Sequence, residues 1–406
     1  MKTIALIGTF DSKGSEFQFV KSLLESMGNN VFTINTGVFE PLLKPDIDAN
    51  VIATEVGETI EHIRGKKDRA FATEILSRGV QKILPKLYKE GLFDGVLSFG
   101  GTGGTSLVTP GMRQLPIGVP KIMVSTVASG DTSAYVGTSD ILMMPSIVDV
   151  SGLNTISRTI FQNAAAAISG MVNADFEKVD DDRPLIAASM FGVTTPAVDQ
   201  ARKYLEEHGY EVLVFHATGV GGKTMEHLIQ NGYFAGVLDL TTTELADELV
   251  GGVLSAGPNR LEAASEKEVP QVVSLGALDM VNFGPYDTIP QKFATRNLYK
   301  HNPTVTLMRT TKEENAELGK IIAQKLNKAH EKTVLMIPKE GVSSIDTPDN
   351  PFYGKEEDQV LINTLLSNLT NKKVKVIERE NNINDSALAE ESAKILIKLI
   401  KGERNE

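Results

Sequence analysis

The sequence predicts an α/β protein with two Rossmann-like domains, whose sheets are mostly parallel and which are related by an internal duplication. Two observations carry this prediction: apolar strand-like runs alternate with helix-like segments, and the same pattern occurs twice. Alternating strands and helices favour parallel sheets, and near-continuous apolar runs are typical of strands buried on both faces. Such runs occupy residues 96–99, 122–125, 272–275 and 334–337.

The duplication appears when the two halves are compared at fixed offsets, which are 181, 141 and 150 residues for three successive matches. In the first match Phe10 stands opposite Phe191, and Gly28 stands opposite Gly209. Because the matches keep the same order, they indicate a repeated strand–helix–strand unit. The matched segments are 4–36 with 185–217, 89–106 with 230–247, and 118–131 with 268–281.

The predicted domains span residues 1–180 and 184–406, with a linker at about 177–184. The linker contains an Asp-Asp-Asp-Arg-Pro run, and a charged stretch with a proline is typical of a domain boundary. The drop in offset from 181 to 141 predicts 40 extra residues in the first domain, at about 38–78. This insert is either a lid that shapes a ligand site or a surface elaboration. We expect a ligand cleft between the two domains.

Composition excludes several classes of protein. The net charge is −11, which argues against a general nucleic-acid binder. The absence of cysteine excludes disulfides, thiolate zinc sites and cysteine nucleophiles. We see neither a signal peptide nor a run of about 18 apolar residues. We therefore expect a cytoplasmic protein with no membrane or nucleic-acid partner. The histidines do not pair at metal-ligand spacing, so we expect no metal site built from protein ligands.

The strongest candidate ligand site is the glycine-rich turn that follows the strand at 96–99. Clustered glycines let a backbone approach a ligand closely, and the start of the next helix favours an anion. The alternative is a tight structural turn. The corresponding turn of the second copy, Leu-Thr-Thr-Thr-Glu-Leu at 240–245, has no glycine, which favours anion binding in the first copy. The candidate residues are Gly100, Gly101, Thr102, Gly103, Gly104 and Thr105.

A second glycine-rich turn follows the strand at 212–216 and ends in Gly-Lys-Thr. It fits a loose phosphate-loop pattern in which alanine replaces the first glycine. We do not expect a true NTPase loop, because apart from the strand that contains Asp239 no strand ends in an aspartate suited to bind magnesium. We expect a second anion-contacting or cleft-lining loop, with Thr218, Gly219, Gly221 and Gly222 as the candidate residues.

Two further turns follow predicted strands. Ser125, Thr126 and Asp131 belong to one of them, where Asp131 either contacts a ligand or caps a helix. Asp11 and Lys13 belong to the other, where Lys13 either neutralises a phosphate or is a solvated surface side chain.

The motifs GTFDSKG, SFGGTGGTS, VSTVASGDTSAYVGTSDI, SGLN, FHATGVGGKTME and PKEGVSSID occur in this order and span essentially the whole chain. In this the chain resembles the ATP-binding domain family named for a tomato protein that confers resistance to tomato mosaic virus. The resemblance implies two Rossmann-like subdomains, a homodimer, and ATP bound with Mg²⁺ held through its phosphates. Plant members continue into a TIM barrel, so a separate TIM-barrel protein is a candidate partner of this chain.

Three classes of function remain open from the sequence. The first is a regulatory or partner-binding protein that binds ATP. The second is a kinase-like enzyme, with Asp11, Asp131 and Asp239 as candidate carboxylates. The third is a hydrolase or isomerase that acts on a sugar phosphate or a carboxylate.

Overall fold

A computed structural model describes residues 1–175 and 182–403. The chain forms two compact units, Met1–Val179 (unit 1) and Asp180–Glu406 (unit 2). Most of the predicted linker at 177–184 falls outside the described residues. Among the described helices, none combines the length and the apolar character that crossing a membrane requires.

Unit 1 is built on a five-stranded parallel sheet with the strand order β2-β1-β3-β4-β5. This order is the flavodoxin-like arrangement of an open α/β sheet. Its elements, in chain order, are β1 (Thr3–Gly8), α1 (Gly14–Ser26), β2 (Asn30–Asn35), α2 (Ala49–Thr54), α3 (Ile60–Lys66), α4 (Arg69–Lys89), β3 (Gly95–Gly100), α5 (Thr102–Met112), β4 (Lys121–Ser125), α6 (Ser133–Val136), β5 (Leu142–Pro145) and α7 (Thr155–Asn173).

Helices cover both faces of this sheet, as the alternation of side chains along each strand requires. On β1, Ala5 and Ile7 pack in a core with α4 and α5. Ile4 and Leu6 point the other way, into a core with α1 and α7. All four of these side chains are fully buried.

Unit 2 contains a six-stranded parallel sheet with the order β14-β13-β9-β8-β6-β7. Its elements, in chain order, are β6 (Leu185–Met190), α8 (Thr195–Glu207), β7 (Glu211–His216), α9 (Val220–Gln230), β8 (Gly236–Thr241), α10 (Glu244–Val250), α11 (Ala263–Glu266), β9 (Gln271–Gly276), β10 (Met280–Phe283), β11 (Leu298–Asn302), β12 (Val305–Arg309), α12 (Lys312–Leu326), β13 (Thr333–Pro338), α13 (Lys355–Asn368), β14 (Lys375–Arg379) and α14 (Ser386–Lys401).

Unit 2 also carries a three-stranded antiparallel sheet, ordered β10-β12-β11, that the sequence did not predict. Its strands are short, and β11 reads Leu-Tyr-Lys-His-Asn with its last three residues exposed. A strand this polar gives little of the apolar alternation by which strands are recognised.

The duplication is evident in the topology of the two large sheets. The order β2-β1-β3-β4 of unit 1 repeats as β7-β6-β8-β9 in unit 2. Gly28 and Gly209, which the sequence comparison aligned, both have left-handed backbone conformations just after a helix, at φ 83° and 86°. Only glycine adopts this conformation without steric cost, so both positions are helix-ending glycines.

Backbone hydrogen bonds show that the first strands of the two units are related by an offset one residue larger than the sequence comparison gave. The amide of Thr36 donates to Gly8, whereas the amide of Ala217 donates to Met190. The second strands therefore keep the offset of 181, but β1 and β6 are related by 182. The predicted pairing of Phe10 with Phe191 is thus displaced by one position, because the connection from β6 to α8 is one residue shorter than the connection from β1 to α1.

The insert predicted at 38–78 is a packed part of unit 1. Three helices, α2, α3 and α4, join β2 to β3, where α9 alone joins β7 to β8. Ile52, Ile60 and Ile63 of the insert are buried in the same core as β1 and β3. Helices α2 and α4 touch at Gly79, where an added Cβ atom would lie 2.3 Å from the carbonyl oxygen of Ile52.

Replacing Gly79 with alanine is expected to destabilise unit 1 by about 1–3 kcal/mol, because α2 and α4 would have to separate. Gly170→Ala is the matched control, since Gly170 lies in α7 with nothing within 4 Å of its Cβ position. The control should be neutral or stabilising by up to about 1 kcal/mol. Chemical denaturation measures both; equal stabilities would show that the insert is not packed as described.

Candidate functional site

The first turn of α5 opens at the carboxyl end of the unit 1 sheet. Strand β3 ends at Gly100, and Gly101 is the N-cap residue, without a side chain to cap the helix. The first amide with an intrahelical partner is that of Thr105, which donates to the Gly101 carbonyl at 3.0 Å. The earlier amides of the turn find no acceptor within the described chain. The glycine-rich segment is thus mostly helix, rather than the loop predicted from the sequence.

These amides border a cavity of about 1060 Å³. Proteins bind small molecules in cavities of roughly 300–1,000 Å³, so the space suffices for a nucleotide. One wall is apolar, formed by α3, α4 and α5. The residues of this wall are Ile63, Ala72, Leu76, Leu107 and Val108.

Two cations on the cavity wall have no partner in the part of the chain that is described. These are the ammonium group of Lys67 and the guanidinium group of Arg69. Arg69 begins α4, and its Nη2 atom lies 3.1 Å from the position that a Cβ atom on Gly103 would take. An unpaired guanidinium beside free helix amides favours an anion at this point.

Two hydroxyl groups of the cavity lining are buried without a hydrogen-bond partner. Thr36 is 2% exposed and Ser98 is 1% exposed, and neither hydroxyl oxygen has a partner. Both residues line the cavity. Since buried polar groups are nearly always hydrogen-bonded, these hydroxyls suit a ligand or water that enters the cavity.

Asp11 and Lys13 line the cavity, as expected, but both are already engaged. The Asp11 carboxylate accepts a hydrogen bond of 3.0 Å from the amide of Phe39. The Lys13 ammonium donates to the carbonyl of Val150. Their present contacts hold the loops around the cavity in place.

The remaining candidates in unit 1 do not line this cavity. Thr105 and Ser125 are fully buried behind it, and their hydroxyl groups share a hydrogen bond of 2.6 Å. Thr126 faces a smaller cavity of about 340 Å³. Asp131 is exposed and accepts a hydrogen bond of 2.9 Å from the Ser133 amide, and the Ser133 side chain and then this amide lower the pKa of its carboxyl. The N-cap residue of the short helix α6 is Thr132, so Asp131 lies one position before the cap.

In unit 2 the second glycine-rich segment is already occupied by a carboxylate of the chain. The amides of Gly219 and Gly222 both donate to Glu244 Oε1, at 2.7 and 3.1 Å. Glu244 is fully buried. Two amides of this segment, those of Gly219 and Gly222, thus already have an anionic partner, and the ligand role of Thr218, Gly219, Gly221 and Gly222 stays a prediction. From Val220 onward the segment is helix α9, not loop.

Glu244 belongs to a buried ionic cluster around Arg260. Asp239 accepts two hydrogen bonds from this guanidinium, at 2.5 and 2.6 Å, and Glu244 accepts one at 2.7 Å. Glu226 accepts another at 3.2 Å. Burial opposes the charge of Arg260, but the Asp239 carboxylate and then the other two raise its pKa above the usual range. Burial raises the pKa of the Glu226 carboxyl, against the effect of Arg260.

Several residues of the cavity lining have no recognisable sequence signal. Thr36, Lys67, Arg69 and Ser98 carried no motif, because a lone hydroxyl or cation at a strand or helix end is common. Glu244 did have a signal in the sequence. At the offset of 141 it stands opposite Gly103, so the second copy has a carboxylate where the first copy has a glycine.

Replacing Glu244 with glutamine is expected to destabilise the protein by about 3 kcal/mol, because Arg260 loses one of its buried counter-charges. Glu207→Gln is the control: this exposed residue of α8 has no ion pair within the described chain, and the change should stay within about 0.5 kcal/mol. Urea denaturation compares the two. Equal effects would contradict the role of Glu244 in the cluster.

The buried carboxyl group of Asp247, also in α10, is expected to make the stability of the protein depend on pH. Burial raises the pKa of its carboxyl to about 7. Its stabilising effect is therefore fully present below about pH 4, where the unfolded chain is also protonated, and is lost as the pH rises towards 7. Asn282 donates to this carboxylate at 2.7 Å, and its own amide oxygen is unpartnered. A rotated Asn282 amide would accept from the protonated acid.

Asp247→Asn should remove this dependence, since an amide does not titrate. Relative to the wild type, the variant should gain stability as the pH rises from about 5 to 7, by at most about 1.4 kcal/mol per pH unit. Denaturation curves at several pH values measure the difference. A difference that stays constant across this range would show that Asp247 is ionised throughout.

Comparison with known proteins assigns the family. The model of an uncharacterised protein family, UPF0261, matches with its N-terminal domain at residues 2–177 and with its C-terminal domain at 183–400. The chain belongs to the UPF0261 family. A UPF0261 protein of Clostridium tetani is 54% identical over 98% of this chain and 99% of its own length. The tomato mosaic virus resistance protein Tm-1 of Solanum lycopersicum is 41% identical over 94% of this chain.

This chain spans 54% of the length of the tomato protein. The family membership expected from the motifs is therefore confirmed, whereas ATP binding stays a prediction. A solved complex of Staphylococcus aureus MnaA with UDP covers 93% of this UPF0261 chain and all of its own, at 12% identity and a TM-score of 0.23. A likeness of this degree supports no argument about ligands.

Proposed function

We propose that unit 1 binds a phosphate-bearing nucleotide, ATP with Mg²⁺, and that the protein acts as a nucleotide-dependent regulatory or partner-binding protein. The observation that carries the proposal is the uncapped first turn of α5, whose amides face the cavity without an acceptor. Free amides at a helix start favour phosphate because they donate hydrogen bonds and carry partial positive charge.

The other groups of the cavity fit the rest of such a ligand. Arg69 and Lys67 supply positive charge to the cavity lining. The buried hydroxyls of Thr36 and Ser98 have no hydrogen-bond partner in the described chain, so a polar group of the ligand can bind them. The apolar wall of α3, α4 and α5 suits a base. Within the described residues no group of acidic or histidine side chains is arranged to hold a metal, so the ligands of Mg²⁺ would come from phosphates and water.

A regulatory role is favoured over catalysis because the cavity positions a ligand but offers few free reactive groups. Asp11 and Lys13, which line the cavity, are bound to backbone groups. The expected homodimer, the TIM-barrel partner and the cytoplasmic location stay predictions that belong to this proposal.

Phosphoryl transfer is the second candidate, and one observation favours it. Asp149 lines both the large cavity and the smaller one beside Thr126. An acceptor hydroxyl bound in the smaller cavity would lie near this carboxylate, which is a reasonable base for such a reaction. ATP turnover that rises steeply with one small acceptor would favour this candidate; binding without turnover favours the regulatory role.

Isothermal titration with ATP, in the presence and absence of Mg²⁺, tests the proposal directly. Arg69→Ala should weaken ATP binding by about tenfold to a hundredfold, since a hydrogen bond to a charged group is lost. Arg78→Ala is the matched control, because Arg78 is an exposed residue of the same helix that does not line the cavity. Absence of ATP binding to the wild type, or equal affinities of the two variants, would contradict the proposal.

A further inference from the structure

Strands β3 and β8 can be matched residue by residue through their hydrogen bonds. The amide of Val96 donates to Pro120 at 2.8 Å, and the amide of Val237 donates to Pro270 at the same distance. Strands β3 and β8 are therefore equivalent at the offset of 141 given by their sequences. Counting on at the same sequence offset pairs Ser98 with Asp239, Gly100 with Thr241, and Gly103 with Glu244, and the pairing of β8 with β9 shifts register between Asp239 and Thr241.

In unit 2 all three of these positions bind one guanidinium group. Asp239 and Glu244 accept from Arg260 through their carboxylates, and Thr241 accepts at 3.1 Å through its carbonyl oxygen. The Glu244 carboxylate also satisfies two amides at the start of α9. Side chains of the chain itself thus fill the carboxyl end of β8 with anions and a cation.

In unit 1 the same three positions border the cavity. Ser98 offers an unpartnered hydroxyl in place of the Asp239 carboxylate, and Gly103 offers no side chain in place of Glu244. The Cβ direction of Gly103 points at the Arg69 guanidinium. The space and the cation are present, and the anion that unit 2 supplies internally is missing.

We infer that position 103 decides whether a unit of this duplicated fold takes its anion from a ligand or supplies its own. Unit 1 then binds one anionic group, a phosphate or a carboxylate, between the first turn of α5 and Arg69. Unit 2 binds none at the equivalent place, so each chain takes one ligand. This inference rests on the proposed site at α5, but it does not depend on the ligand being a nucleotide.

The test restores the missing carboxylate with Gly103→Glu and compares it with the neutral isostere Gly103→Gln. The nearest atom to the new Cβ is the end of the flexible Arg69 side chain, so both variants have room to fold. Without ligand, Gly103→Glu should melt roughly 2–4 °C above Gly103→Gln, because its negative charge lies in the first turn of α5 and pairs with Arg69. Adding Arg69→Ala to both variants should shrink this difference.

Ligand binding gives the second readout. Pyrophosphate and ATP with Mg²⁺ should raise the melting temperature of the wild type, and Gly103→Glu should weaken their binding by at least about a hundredfold. Titration should give one ATP per chain. A Gly103→Glu variant no more stable than Gly103→Gln, wild-type affinity in Gly103→Glu, or two ATP per chain would each overturn the inference.

The outcome also separates this inference from the proposed function. If ATP fails to bind but pyrophosphate stabilises the wild type and not Gly103→Glu, the anion site stands and the nucleotide proposal falls.

A reciprocal experiment in unit 2 does not rely on Gly103. Glu244→Ala leaves Arg260 and two glycine amides without this carboxylate, so sodium acetate should raise the melting temperature of this variant more than that of the wild type. Sodium chloride at equal ionic strength is the control. Equal effects of acetate on both proteins would contradict the equivalence of the two positions.

Discussion

The amides at the start of α5 are donors that the described chain leaves without acceptors, and the rest of the site follows from this constraint. Strand β3 delivers the helix start to the carboxyl edge of a parallel sheet, where neighbouring strand ends and the insert enclose it. A capping side chain at position 101 would satisfy one of these donors and reduce the need for a ligand. Gly101 has none, so the helix start keeps its affinity for an anion.

Unit 2 satisfies the amides of another helix start from within the chain. There a helix start, that of α9, receives the buried carboxylate of Glu244, and Arg260 balances the carboxylates around it. Isolated buried charges are strongly unfavourable, whereas a hydrogen-bonded cluster is tolerated. The two units therefore show one fold in which the carboxyl edge of the sheet is either filled by ion pairs of the chain or left as a cavity.

Much of the fold was predictable because parallel strands buried on both faces leave long apolar runs in the sequence. The duplication, the main strands and the closing helices followed from such runs and from aligned glycines such as Gly28 and Gly209. The antiparallel sheet was not predictable, since its polar strands lack that signal. The helical state of Thr102 was also missed, because clustered glycines suggest a loop even where they form the first turn of a helix.

The candidate site was predictable only in part, for a physical reason. The glycine-rich motif predicted a site at the amides of α5. A similar motif also predicted one at Gly219 and Gly222, whose amides are bound by a side chain from another element. Whether a glycine-rich helix start is free depends on long-range packing. Arg69 illustrates the same point, since it reaches the site from the insert, far from Gly103 in sequence but within 3.1 Å of its Cβ position.

Amide hydrogen exchange, followed by mass spectrometry, tests the central claim most directly. The account predicts that the amides of residues 102–104 exchange rapidly in the free protein and slow on addition of ATP with Mg²⁺. The amides of Gly219 and Gly222 should be protected in both states. Protection of residues 102–104 without ligand, or a ligand effect confined to residues 219–222, would contradict the account.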